Sequence, residues 1–472
     1  MTAVDAVTVR IGRMEQRGLL LGLSPAQTGL LGVALLIAVA AEYTSGAPGL
    51  FASFPVWGLL SAAALVPVAG RPIAAWMPLL VGWARRTALG QRSYRAKVRQ
   101  FSRLSLDLPG IPGSLTAWVS PDTNAVLLHD ASTSTITASL RVSGKGFVLT
   151  QDDIQHARVA GWSRLLATLC QQRSVVRLQV LERHTSGGGA EVQRWWAHHA
   201  VAQSSWATRV LADLVADAQE HRDKHECLLS VSVRSPGSRK HIGGPPALAA
   251  LEPQLQMLAE AARRADLVVH GWFTAQDLAG TLRSVFDPHG ARDSVAGCAP
   301  ILVGPVAVEE HWSSLVTDSA HHAIYWIQEW PRSEVHAGFL QPLILSPGVH
   351  RTLSVTAEPL SAAKAMKDIR RARVEQIADA AQRNRMGQIE DESVRVEAAD
   401  LARREQEIVA GHGDLKFVGL LTVSAPDQDQ LLAACTATEV AAAQALCDIR
   451  KLVGQQASAF AAAALPLARR IS

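Results

Sequence analysis

The sequence is poor in the patterns that carry common chemistry. Its five cysteines, Cys170, Cys227, Cys298, Cys435 and Cys447, are dispersed and include no CxxC pair. That excludes a disulfide framework or a cysteine-rich zinc site and points to buried, reduced thiols. A phosphate-cradling loop needs glycines to free backbone N–H groups and a lysine to reach the terminal phosphates, and no GxxxxGKS or GxxxxGKT string occurs. Gly144-Lys145-Gly146 lacks the spacing and the following hydroxyl residue, and the Gly187-Gly188-Gly189 run has no lysine beside it. The serine-hydrolase elbow GxSxG is missing as well. Acidic pairs such as Asp152-Asp153 and Glu309-Glu310 are only sequence neighbours, which does not make a shared acid–base site.

Histidine is not scarce, at 16 residues, but its spacing is uninformative. The best metal candidate is His221 with His225, near Glu220, Glu226 and Cys227, because His at i and i+4 shares a helix face. The order is not HExxH, and the pair falls where a helix gives way to a strand. The pairs His198-His199 and His321-His322 diverge on either a helix or a strand. No catalytic, cofactor-binding or metal-ligating residue is assigned from the sequence, no cofactor is expected, and the expectation is a protein that is not an enzyme.

Charge is absent where it matters most. Between Arg17 and Glu42 lie 24 residues without a charge, and between Glu42 and Arg71 another 28. A bilayer core about 30 Å thick needs roughly 20 apolar helical residues, and stretches 29–41 and 50–69 with their uncharged flanks are long enough. Nothing comparable follows. The competing reading is a buried helical hairpin in a soluble protein, for which Pro48, Pro55, Pro67 and the many small residues speak. Arg10, Arg13 and Arg17 precede the first stretch, Arg71, Arg85, Arg86, Arg92, Arg95, Lys97 and Arg99 follow the second, and the segment between has no basic residue. By the positive-inside rule this predicts a plasma-membrane hairpin with both termini in the cytoplasm. Residues 1–100 carry 10 Lys or Arg against 3 Asp or Glu, and the rest 36 against 39. The basic balance is therefore membrane-proximal, fits anionic lipid head groups, and gives no reason to expect sequence-specific nucleic-acid binding. Trp57, Trp76 and Trp83 around the second stretch suit a membrane interface, and tryptophans of a protein core would give the same letters.

The remainder reads as α+β. A linker at 101–113 precedes short strands at 115–119, 124–130, 133–142 and 147–149. A helix over 152–173 and a strand over 175–182 follow, then helices over 190–201 and 206–221 and a strand over 226–233. Apolar periodicity places further helices at 247–265 and 275–286, and strands at 267–273 and 325–329, with extended segments at 340–345 and 351–357. Residues 361–408 are almost continuous helix former, dense in charge, and read as two helices or one projecting arm. A strand over 415–424, a helix over 427–447, an extended piece over 448–453 and a helix over 455–464 close the chain. Segment 326–342, rich in aromatic and polar residues, is either core or a docking surface. The expected fold class is an N-terminal two-helix transmembrane hairpin followed by cytoplasmic α/β sandwich lobes with ferredoxin-like strand-helix-strand units. The expected division is a membrane anchor at 1–100, a first lobe at 101–290, and a second lobe at 291–472 with a charged arm at 361–410.

Two sets of residues carry a family resemblance. The opening LLLGLSPAQTGLLGVALLIAVAAEYTSG, the second apolar stretch and RPIAAWMPLLVGWARRTALGQRSYR resemble the small two-span PrgI-like membrane subunits of conjugation and type IV secretion systems. The stretch from KFVGLLTVSAPDQDQLLAA through RKLVGQQASAFAAAALPL is similar to the end of the non-catalytic N-terminal region of VirB-type conjugation ATPases. The layout, including YWIQEWPRSEV and GQIEDE, resembles actinobacterial membrane proteins that look like a fusion of the two. The resemblance implies a structural or assembly subunit, oligomeric in its assembly, that anchors a separate VirB-like ATPase, because the sequence stops at Ser472 where a motor would begin. An accessory membrane subunit of a type VII secretion complex and a membrane-tethered enzyme of other chemistry are the alternatives.

Overall fold

A computed structural model describes residues 8–9, 25–68, 71–96, 105–186, 195–200, 205–221, 223–235, 251–288, 304–331, 333–385, 392–410 and 413–471. They divide into two compact units, one of residues 1–12, 94–452 and 456–472 and one of residues 13–93 and 453–455.

In the smaller unit the charge-free sequence forms helix Pro25–Leu65. It is the one helix among the described residues long and apolar enough to cross a membrane, with only 6% of its most apolar window buried. Two separate spans were expected, and the structure instead has a single helical segment broken at one point. At Gly46 the backbone takes φ 63° and ψ −158°, a conformation that strains any residue with a Cβ. Gln27 Nε2 donates to Ala64 O at 2.8 Å. A straight helix would hold residues so far apart in sequence about 55 Å from each other, so the two ends of the segment lie together. A second helix, Ile73–Ala88, follows and ends on Arg85 and Arg86, whose charges suit its C-terminal dipole.

The larger unit is α+β and is built on a large antiparallel sheet. Its eight principal strands are β1 (Thr135–Ser143), β2 (Val175–Ser186), β3 (Asp223–Arg234), β4 (Val268–Trp272), β5 (His321–Glu329), β6 (His350–Leu360), β7 (Asp414–Ala425) and β8 (Asp448–Lys451). Their order across the sheet is β4-β1-β3-β2-β6-β7-β5-β8, with every pairing antiparallel. Helices Asp152–Gln171 and Glu252–Arg264 cross from β1 to β2 and from β3 to β4, and helices Gln341–Leu345 and Gln428–Gln444 do the same from β5 to β6 and from β7 to β8. Each quartet thus runs strand-helix-strand-strand-helix-strand in the order 4-1-3-2, the ferredoxin-like arrangement. The quartets join through their second strands, where Leu181 lies opposite Ser354. The two expected lobes therefore share one sheet.

Strand alternation divides the apolar residues between the faces. Leu229, Leu178 and Leu140 pack with Leu165 and Leu258 on one face, and Leu421, Val423 and Tyr325 pack with Leu431 and Cys435. On the other face Leu228, Leu181, Ile324 and Leu420 meet Phe286 and Phe460, whose rings are 5.3 Å apart. These phenylalanines come from helices Ala275–Phe286 and Gln456–Ala464, each of which follows a fourth strand. A capping box between Thr274 and Asp277 starts the first of them. Gly110 lets the chain pass over the second: its φ is +78°, and a Cβ there would lie 2.1 Å from Ala457 O.

Several local expectations change. Segment 147–149 is irregular rather than a strand, and 340–345 is largely helix Gln341–Leu345, started by a proline in its first turn. Strands Ala307–Glu310 and Leu315–Val316 are additional, and β5 begins four residues earlier than its apolar run. The charged stretch forms two helices, Ala362–Arg385 and Glu392–Val409, which pack through Ile369, Ala372 and Leu401. Gly387, the one glycine of the sequence stretch 361–408, lies outside the described residues.

Where helix Gln456–Ala464 ends against the sheet, its last carbonyls are buried and need donors. Gln179, fully buried on β2, places Nε2 at 2.9 Å from Ser354 Oγ, 3.2 Å from Ala462 O and 3.1 Å from Leu465 O, while its Oε1 accepts from Ala468 N at 2.8 Å. Ser139 donates to Pro466 O at 3.1 Å and Arg177 to Ala468 O at 2.8 Å. Replacing Gln179 with Leu strips several buried groups of partners at once. The expected cost is about 3 kcal/mol in denaturant unfolding followed by tryptophan fluorescence. Gln179→Leu within 0.5 kcal/mol of the parent protein would contradict this role.

Candidate functional site

Among the described residues of the larger unit, a group of charges sits on the adjacent strands β2 and β3. Their register sets Glu182 opposite Cys227, Arg183 opposite Glu226 and His184 opposite His225. Alternation then sends Arg183 and Glu226 to one face of the sheet and Glu182, His184, His225 and Cys227 to the other.

On the first face Arg183 Nη1 lies 2.8 Å from Glu226 Oε2, and Nη2 donates to Ser284 Oγ at 2.8 Å. Arg141 approaches the other carboxylate oxygen of Glu226 at 3.0 Å and Asp277 at 3.4 Å, with its guanidinium 4.9 Å from the centre of the Phe273 ring. Burial lowers the Arg183 pKa and Glu226 pushes it back up, with a net downward shift. A buried ion pair of this kind contributes little net stability while intact, yet losing one partner costs about 3–5 kcal/mol because the other is stranded.

On the second face the rings of His184 and His225 stack with centroids 4.7 Å apart. His184 Nδ1 is 2.8 Å from Val349 O, so that nitrogen carries the hydrogen. His225 Nδ1 is 3.3 Å from Glu182 Oε1. Burial pushes the Glu182 carboxyl up to about 7, with a hydrogen bond to Cys227 opposing and the Glu226 charge reinforcing the shift. Burial and the adjacent Glu182 raise the Cys227 thiol well above its ordinary range, which disfavours the thiolate a nucleophile requires.

A cavity lined by Arg183, His184, Ser284, His350, Arg351 and Phe460 adjoins this group and encloses about 30 Å³. That is room for a water molecule or two, where small-molecule sites run to hundreds of Å³. A second cavity, apolar and about 10 Å³, lies among Leu127, Leu169 and Leu255. The charges hold strands and helices to one another, and Glu182 adds a group that titrates near neutrality.

The residues weighed from sequence are scattered. His225, Glu226 and Cys227 lie on β3, whereas His221 ends helix Trp206–His221 and its side chain is outside the described set, as is that of Glu220. Among the described residues no group of three or more His, Cys, Asp or Glu side chains converges to hold a metal. Lys145, from Gly144-Lys145-Gly146, pairs with Asp266, which also accepts from Arg158 at 2.8 Å. Gly187 to Gly189, Cys298 and Arg332 lie outside the described residues. His322 is buried, 2.9 Å from Thr317 Oγ1 and 2.7 Å from Ser424 Oγ, while Glu310 is buried and accepts from Ala457 N at 3.2 Å. Segment 326–342 supplies core: Trp330 packs edge-on against Phe417 at 5.6 Å, and Phe339 and Leu340 join the same cluster. The Arg141–Glu226–Arg183 network was not anticipated. Its signal in β2 is Arg183, a charge inside the apolar run of that strand.

Glu182 sets a pH dependence of stability. Its folded pKa of about 7 lies above the ordinary 4.5, so the folded chain holds a proton that the unfolded chain releases between those values. The resulting stabilisation is complete below 4.5 and is lost as pH rises through 7. Glu182→Gln removes the loss, and the variant should gain on the order of 2 kcal/mol over the parent between about pH 5 and pH 8. Parallel unfolding curves for the two proteins across that window would contradict the assignment.

No family model matches the chain, and a search of curated proteins finds no match to it.

Proposed function

We propose that this chain is an integral membrane subunit of a conjugation or type IV-like secretion apparatus, holding a separate ATPase at the membrane and contributing no catalysis of its own. The observation that carries the reading is helix Pro25–Leu65, apolar, 6% buried over its most apolar window, and broken at Gly46. On either side of the break about 20 residues remain, enough on each side for a bilayer core. The hydrogen bond from Gln27 to Ala64 supports an antiparallel pair of spans rather than one long rod. With basic residues before and after the segment and none within it, both ends belong on the cytoplasmic side.

Among the described residues the larger unit carries exposed surface beside the two small cavities. The cavities described above are too small for a substrate, which supports an assembly role over a membrane-tethered enzyme. The paired helices Ala362–Arg385 and Glu392–Val409 form an arm up to about 36 Å long, and Val374 and Ile377 on it are 66% and 64% exposed. Subunit and ATPase contacts are assigned to such surfaces, and the protein is expected to act as a homo-oligomer within the assembly.

Two experiments test the reading. Affinity purification of the full chain from detergent-solubilised membranes should bring down the ATPase encoded beside it, and failure to associate would contradict the anchoring role. The turn itself is tested at Gly49, where a Cβ would lie 2.5 Å from Ala41 O and 2.6 Å from Ser45 Cβ, whereas one at Gly29 would meet nothing within 4 Å. Gly49→Val should lower the membrane-inserted yield several-fold while Gly29→Val leaves it unchanged. Equal yields would remove the argument for a tight turn.

A further inference from the structure

Between Glu42 and Asp107 the sequence contains no acidic residue and eight basic ones, Arg71, Arg85, Arg86, Arg92, Arg95, Lys97, Arg99 and Arg103. Within this stretch lies helix Ile73–Ala88. Ile73, Met77, Leu80 and Val81 fall on one face of it, and that face points outward, with exposures of 36%, 54%, 46% and 60%. A water-facing helix normally turns its polar side out, and this one turns out its apolar side. Arg85 is exposed at the end of the helix, whereas its neighbour Arg86 is half-buried and donates to Gly454 O, and Arg92 sits just beyond with its guanidinium 4.5 Å from the centre of the Trp83 ring. Trp76 donates to Val68 O at 3.0 Å, tying the start of the helix to the segment that follows Leu65.

We propose that the outward apolar face of helix Ile73–Ala88, with Arg85 and Arg92 at its end, is a docking surface for the anionic phospholipid head groups of the membrane interface. The inference rests on the membrane reading above and adds the class of lipid and the residues that select it. Three features commit the occupant. The face is continuous in sequence with the lipid-length apolar helix. Acidic groups that would repel phosphate are lacking from the segment. An apolar stripe bordered by arginine and tryptophan has the composition of a helix lying at head-group depth, its side chains reaching into the acyl boundary while the cations meet the phosphates. Each basic residue near a surface of anionic lipid contributes about a fivefold gain in affinity, and the two together about twenty-fivefold.

The test uses the full chain in detergent, mixed with equal amounts of phosphatidylglycerol and phosphatidylcholine, with bound lipid counted by native mass spectrometry. The expected result is at least tenfold preference for phosphatidylglycerol. That preference should fall to near parity in the R85Q/R92Q variant, persist in R85K/R92K, and weaken in the unmodified chain as sodium chloride is raised. Equal retention of both lipids by the unmodified chain, or a preference indifferent to salt, overturns the proposal even where the glutamine variant does not fold. Flotation with vesicles of pure phosphatidylcholine separates the two readings. A chain that embeds there but shows no head-group preference overturns this inference alone. A chain that embeds in no vesicle overturns the membrane reading beneath it.

Discussion

The carboxamide of Gln179 holds the centre of the larger unit together. A helix that ends in the interior leaves carbonyls without partners, each costing about 1–3 kcal/mol if unsatisfied. Gln179 supplies N–H to Ala462 O and Leu465 O and takes the N–H of Ala468, while bonding Ser354 on the neighbouring quartet. One side chain thus joins β2, β6 and the segment after helix Gln456–Ala464. Arg469 extends the clasp through Asp130 at 2.8 Å, an ion pair whose side chains are 8% and 7% exposed. Burial raises the Asp130 pKa, but hydrogen bonds from Ser132 and Thr133 and the Arg469 charge outweigh it, and the carboxyl sits below its ordinary value. The run Ala459 to Leu465, all of it buried, is therefore an interior strut rather than a surface helix.

Around this strut the two quartets repeat one topology with different lengths. The first crossover is the 20-residue helix Asp152–Gln171, and its counterpart is the five-residue helix Gln341–Leu345. The connection between second and third strands contains helix Trp206–His221 in one quartet and the pair Ala362–Arg385 and Glu392–Val409 in the other. Joining the quartets through β2 and β6 hides two strand edges that would otherwise template aggregation. The ion pairs among Arg141, Arg183, Glu226 and Asp277 add position more than energy, fixing how helix Ala275–Phe286 lies on the sheet.

Much of this was legible from the residues, and the gaps have physical causes. Charge-free sequence at 18–41 and 43–70 announced the apolar helix because taking a charge out of water into an apolar medium is so costly. Helix Ala275–Phe286 and strand Leu115–Val119 match their sequence patterns to the residue, each bounded by strong caps or turns. The break at Gly46 was less sharp, since helical geometry continues on both sides of it. The start of β5 was hidden because His321-His322 interrupts the apolar signal, although His322 is buried against Thr317 and Ser424. The repeat was invisible because topology is shared without matching element lengths. The polar heart around Gln179 could not be read at all, since its partners come from residues 139, 354 and 462–468, brought together only by the sheet.

The proposed function requires helix Pro25–Leu65 to lie in lipid. Alkaline carbonate extraction of membranes from cells making the full chain measures this directly, because carbonate strips peripheral proteins and leaves embedded ones. The chain is predicted to stay with the membrane pellet. Its release into the supernatant as a folded protein would contradict the account.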